Sequence, residues 1–116
     1  MLVFVLKIEK KIWLCLKAPP VIQPFTFGDT PLSEGQWASI QCMVASGDLP
    51  LTIRWTFHGS TTRNTSDAQL STQKVGTRIS QLTIDRVVSA HNGNYTCTAA
   101  NDAGIANYTA RLYVHG

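Results

Sequence analysis

Cys42-Met43-Val44-Ala45-Ser46-Gly47-Asp48-Leu49-Pro50-Leu51-Thr52-Ile53-Arg54-Trp55, met further along by Gly93-Asn94-Tyr95-Thr96-Cys97, is the stretch from which the rest of the chain is read. Two cysteines so far apart cannot be joined by a local turn, so a bridge between them would staple distant strands. In a sandwich of two β-sheets, each sheet supplies one cysteine and the indole of a third strand packs on the sulfurs. Trp55 and Tyr95 stand where such an arrangement needs them. Disulfides persist outside the cytosol, so the same spacing implies an oxidising, extracellular setting.

Outward from this stretch, short runs of alternating residues separated by turn chemistry predict further strands from Ala18 on. Pro19 and Pro20 bar helix and suit the edge start of strand A, expected over Val21 to Phe27. Gly28, Asp29 and Pro31 break it before a short A′ segment. On strand B the alternation turns Ala38, Ile40 and Cys42 inward and Trp37, Ser39 and Gln41 outward. After the turn at Gly47-Asp48-Leu49-Pro50, Leu51, Ile53, Trp55 and Phe57 form the inward series of strand C. Residues 59–68 carry Ser, Thr, Asn and Asp without periodicity, which predicts a polar connection rather than another hairpin. Strand D is expected around Gln69 to Lys74. Strand E turns Ser80, Leu82 and Ile84 inward, with Val87 closing the apolar series. Strand F, over Asn94 to Ala100, buries Tyr95, Cys97 and Ala99. Strand G buries Tyr108, Ala110, Leu112 and Val114.

The chain has 116 residues with 44% hydrophobic content, which suits one domain over residues 18–116 with one core. Residues 1–17, MLVFVLKIEKKIWLCLK, differ from the rest. Lys7, Glu9, Lys10 and Lys11 interrupt the apolar run, so it has neither the order of a secretory signal nor the length of a membrane span. This tail holds four lysines against one glutamate and so accounts for the whole net charge of +3. Residues 18–116 are formally neutral, which gives no reason to expect a nucleic acid or an acidic membrane as partner. The tail is read as a gene-model artefact or the remnant of a preceding domain, disordered, with a signal anchor as the alternative. It holds the third cysteine, Cys15, for which no role in the fold is expected.

The string from Gly93 to Gly104, Gly-Asn-Tyr-Thr-Cys-Thr-Ala-Ala-Asn-Asp-Ala-Gly, resembles the F–G signature of intermediate-set (I-set) immunoglobulin domains, in which Asn101 and Gly104 shape a tight turn. More narrowly, Pro24-Phe25-Thr26-Phe27-Gly28, the run from Gly47 to Trp55, and Arg78-Ile79-Ser80-Gln81-Leu82-Thr83-Ile84 resemble the seventh immunoglobulin domain of arthropod Down syndrome cell adhesion molecules (Dscam). The resemblance covers residues 18–116. It implies an all-β I-set sandwich with a Greek key, a disulfide between Cys42 and Cys97, and a core around Trp55, Tyr95, Leu82 and Ile84. His91 stands where the family pattern has an aspartate, which removes one partner of the ion pair usual at that corner and leaves the tyrosine corner in place.

Catalysis is not expected. His58, His91 and His115 show no metal-ligand spacing, the carboxylates are scattered, and neither a nucleophile elbow nor a phosphate loop appears. No metal, cofactor or small-molecule substrate is expected. What the resemblance implies is an extracellular module of a larger, alternatively spliced plasma-membrane receptor. Its partner would be the same domain on an apposing receptor, with neighbouring immunoglobulin domains in cis. A structural spacer and an immune recognition module of secreted isoforms are the alternatives. Three acceptor patterns for N-glycosylation, at Asn64, Asn94 and Asn107, bear on which surface is free. Asn94 and Asn107 should point outward from the sheet containing strand C. The opposite sheet carries no such pattern, and its outward positions Trp37, Ser39, Gln41, Ile79, Gln81 and Thr83 form the candidate binding face.

Overall fold

The computed structural model describes residues 4–7, 13–59 and 70–115. Its strands are β1 (Phe4–Lys7), β2 (Trp13–Leu16), β3 (Val21–Ile22), β4 (Leu32–Ser33), β5 (Ala38–Ser46) and β6 (Thr52–Gly59), followed by β7 (Ser71–Val75), β8 (Ile79–Ile84), β9 (Gly93–Asn101), β10 (Gly104–Leu112) and β11 (Val114–His115). A 3-10 turn, Ser89–His91, lies between β8 and β9. One sheet has the order β3-β5-β8-β7 and the other β10-β9-β6, while β4 pairs in parallel with β11. This is an all-β sandwich. The expected 59–68 connection falls largely outside the described residues, as does Asn64.

The alternation read on strand B is visible as burial. Ala38, Ile40, Cys42 and Val44 lie within the sandwich, and Ser39, Gln41 and Met43 between them face away. Cys42 on β5 is bonded to Cys97 on β9, so the bridge spans the two sheets. The core has two parts. One surrounds the bridge with Ile22, Val44 and Ala99; the other groups Phe57, Leu82, Ile84, Tyr95 and Leu112. Trp55 and Phe25 pack against both, edge to face with ring centroids 5.4 Å apart. Each fully buried Leu or Ile here contributes about 1.5–3 kcal/mol relative to exposure. Trp55 is half-buried, and its indole N–H donates to the Ser80 hydroxyl at 3.0 Å, which explains a serine among the inward residues of β8.

The strand A expectation is too long. Regular pairing ends after β3, where the Gln23 N–H still reaches the Met43 carbonyl at 2.9 Å. Pro24 follows and has no N–H with which to continue the ladder. Phe25 and Phe27 then pack against the core, with the Phe27 ring 5.2 Å from that of Tyr95. Within the tail, β1 and β2 pair antiparallel, with Val5 opposite Cys15. Strand D is displaced slightly, running over Ser71–Val75.

The tyrosine corner shows why His91 is tolerated. Tyr95 has no exposed surface, stacks on Phe57 with centroids 4.5 Å apart, and donates from its hydroxyl to the His91 carbonyl at 2.7 Å. That bond uses the backbone of residue 91, not its side chain. The imidazole Nδ1 accepts the Val88 N–H at 2.9 Å, so the histidine stabilises the 3-10 turn itself. Burial pushes the Tyr95 phenol well above its ordinary value of 10.0. The folded state thus favours the neutral phenol, and its contribution is complete below the ordinary value and lost as pH rises through the folded one. Stability to urea is therefore expected to fall as pH rises beyond about 10, and Tyr95→Phe is expected to weaken that dependence while costing about 1–3 kcal/mol at neutral pH.

Candidate binding face

The registers settle which outward side chains are neighbours. On the outer face of β3-β5-β8-β7, Ser39 lies opposite Thr83 and Thr83 opposite Ser71; Gln41 lies opposite Gln81 and Gln81 opposite Gln73. Met43, Ile79 and Val75 form a third row. Directly opposed side chains in antiparallel strands share a face and approach closely. Within the face, the Gln81 amide donates to the Ser39 hydroxyl at 2.9 Å, and the Ser39 and Thr83 hydroxyls are 3.5 Å apart. None of these rows contains a charge.

Ser39, Gln41, Gln81 and Thr83 are therefore brought together as one patch. Trp37 is placed differently: it precedes the first residue of β5 and leaves 62% of its surface exposed, at the end of the patch opposite Ile79. Ile79 is half-buried between Met43 and Val75. Met43, Ser71, Gln73 and Val75 join this face in addition to the residues expected from the sequence. Carrying the alternation of β5 two residues past Gln41 reaches Met43, but the β7 residues depend on a register that no local pattern reveals. Beside this patch, where the chain leaves β5 after Ile22, a groove of about 360 Å³ opens between Gln23–Thr26 and Ser39–Met43.

The opposite sheet presents different chemistry. Its outer face carries Arg54, Thr98 and Asn107 in one row and His58, Asn94 and Arg111 in another. Both asparagines are exposed; the Thr98 hydroxyl donates to Asn107 Oδ1 at 2.7 Å. No cluster of His, Cys, Asp or Glu among the described residues could hold a metal ion, and no helix there is long and apolar enough to cross a membrane. A flat polar surface free of charge is suited to meeting another protein surface, because little desolvation opposes contact.

A sequence profile described as an immunoglobulin domain matches residues 19–101. The chain belongs to this family. It is 38% identical over 97 residues, 84% of its length, to the cell adhesion molecule Dscam1 of Drosophila melanogaster, and 38% identical over 109 residues, 94% of its length, to the mouse cell adhesion molecule DSCAML1. The chain spans about 5% of each of these relatives. Among solved structures it is similar to the seventh immunoglobulin domain of Dscam1, isoform 5, with a TM-score of 0.76 and 39% identity, covering 84% of this chain and 97% of that one. It is thus a Dscam-like immunoglobulin domain, and its sandwich is that of the family.

Proposed function

We propose that this immunoglobulin domain is an extracellular recognition module of a Dscam-like adhesion receptor and binds a second copy of itself on an apposing cell. It acts as a binding surface and performs no chemistry. The observation that carries this reading is the continuous uncharged patch of Ser39, Gln41, Gln81 and Thr83, extended by Gln73 and by the Met43-Ile79-Val75 row. Two such faces can meet across a two-fold axis without burying an unpaired charge. Trp37 at one end offers the kind of aromatic anchor on which binding energy concentrates. Sugars on Asn94 and Asn107 would shield the opposite sheet and leave this one free. The relatives' description as cell adhesion molecules supports the same reading.

Sedimentation of the multidomain ectodomain tests it. Trp37→Ala is expected to weaken self-association by about 2 kcal/mol, near thirtyfold in Kd. Thr98→Lys, on the opposite sheet, is expected to leave it unchanged. Loss of binding with Thr98→Lys and none with Trp37→Ala would move the binding surface to the other sheet. A module that only spaces its neighbours would respond to neither.

A further inference from the structure

We infer that Asp48 and Asn101 form a clamp on Ala18 that fixes the backbone arriving at the sandwich, so that the segment N-terminal to it leaves the domain in one direction. Both backbone groups of Ala18 are held. Its N–H donates to Asp48 Oδ2 at 2.7 Å, and its carbonyl accepts from the Asp48 N–H at 3.1 Å and from Asn101 Nδ2 at 2.8 Å. The same Asn101 amide nitrogen donates to the Asp48 carbonyl at 3.0 Å, tying the two loops to each other. Meanwhile Asn101 Oδ1 accepts from the N–H groups of Ala103 and Gly104. One side chain thus shapes its own turn with its oxygen and grips the incoming strand with its nitrogen.

Asp48 is the more telling member. Its side chain lies in a residue only 4% exposed, and Oδ1 has no hydrogen-bond partner among the described residues. Leaving a buried carboxylate oxygen unpaired is unfavourable. Shaping a turn does not require that; receiving the Ala18 N–H with a charged acceptor gives the position a reason, since such bonds are roughly twice as strong as neutral ones. The neighbours allow no slack. A Cβ on Gly47 would lie 2.7 Å from Pro20 Cα, and one on Gly104 would lie 3.3 Å from Pro19 Cβ. Pro19 and Pro20 each have a fixed φ, which stiffens the strand just after the clamped residue. The Lys17–Asp102 ion pair at 3.0 Å is exposed and adds little.

The clamp is a property of this chain and does not depend on which face binds a second copy. Its consequence, a fixed angle between this sandwich and whatever precedes it, rests on the reading of the chain as one module of a longer receptor. Amide hydrogen exchange on the full 116-residue chain tests the clamp. Asp48→Ala is expected to speed exchange at Ala18 by about ten- to a hundredfold, with Cys97 and Thr98 in β9 unaffected. Asn101→Asp keeps the oxygen that shapes the turn and removes the nitrogen that grips Ala18, so it is expected to release Ala18 and leave the Ala103 amide protected. Spin labels on Cys15 and on Thr56→Cys, an exposed position of β6 on the opposite sheet, then report direction: one narrow distance distribution with the clamp intact, and a broad one with Asn101→Asp. Ala18 exchange unchanged in both variants, or a distribution equally broad with and without the clamp, would overturn the inference.

Discussion

Replacing Cys42 and Cys97 together by alanine is expected to destabilise the domain by about 4 kcal/mol, a large fraction of the stability of a domain this size. The bridge closes a loop with a sequence separation of 55 residues, so its absence releases a large part of the unfolded chain from constraint. Both cysteines are fully buried beside Val44 and Ala99, and truncating them also leaves unfilled space between the sheets. Thermal unfolding should show the midpoint falling by roughly 15 °C or more. Cys15→Ala should leave it in place, because Cys15 lies on β2, which among the described residues pairs only with β1. A drop after Cys15→Ala comparable to that of the double variant would contradict this division of roles.

Gly93→Ala is expected to cost about 3 kcal/mol, although it adds a single methyl group. Two effects combine at that position. The residue has φ +149°, a backbone conformation that L side chains rarely adopt. An added Cβ would also run into the backbone of β6, at the His58 carbonyl oxygen and at Gly59 Cα. Gly59 lies directly opposite Gly93 in the ladder, and an added Cβ there would enter the Phe57 ring, so the small residues at the end of β6 and the start of β9 belong together. Gly76→Ala separates the two effects. Its φ is +67° and nothing lies within 4 Å of an added Cβ, so only the conformational part, about 1 kcal/mol, remains. Equal losses for the two variants in urea denaturation would show that the contact with β6 is unimportant.

The contrast between what alternation reveals and what it conceals runs through the molecule. A period of two residues is an intrinsic property of a strand, so the burial of Ala38, Ile40, Cys42, Leu82 and Ile84 could be read directly from sequence. The same property identified Ser39, Gln41, Gln81 and Thr83 as outward. Adjacency across strands is a tertiary matter. Whether Gln73 aligns with Gln81, and so with Gln41, depends on the register of β7, and five consecutive exposed residues on that edge strand carry no pattern to define it. Phase alone puts Trp37 on the strand, whereas β5 begins one residue later. Asn101 was legible as a turn residue because its spacing to Gly104 is local. Its hold on Ala18, 83 residues away, was not.

If two copies meet through the outer face of β3-β5-β8-β7, a charge pair at Gln41 controls whether they associate. The Gln41-Gln81-Gln73 row is the middle of the patch, and a two-fold axis lying along that row sets Gln41 of one copy against Gln41 of the other. Ectodomains carrying Gln41→Lys should lose self-association through like-charge repulsion, as should those carrying Gln41→Glu. Mixing the two variants should restore association, because opposite charges then face each other across the interface. Restored association in the mixture is the predicted result; self-association of each variant at the strength of the unaltered protein would contradict that interface.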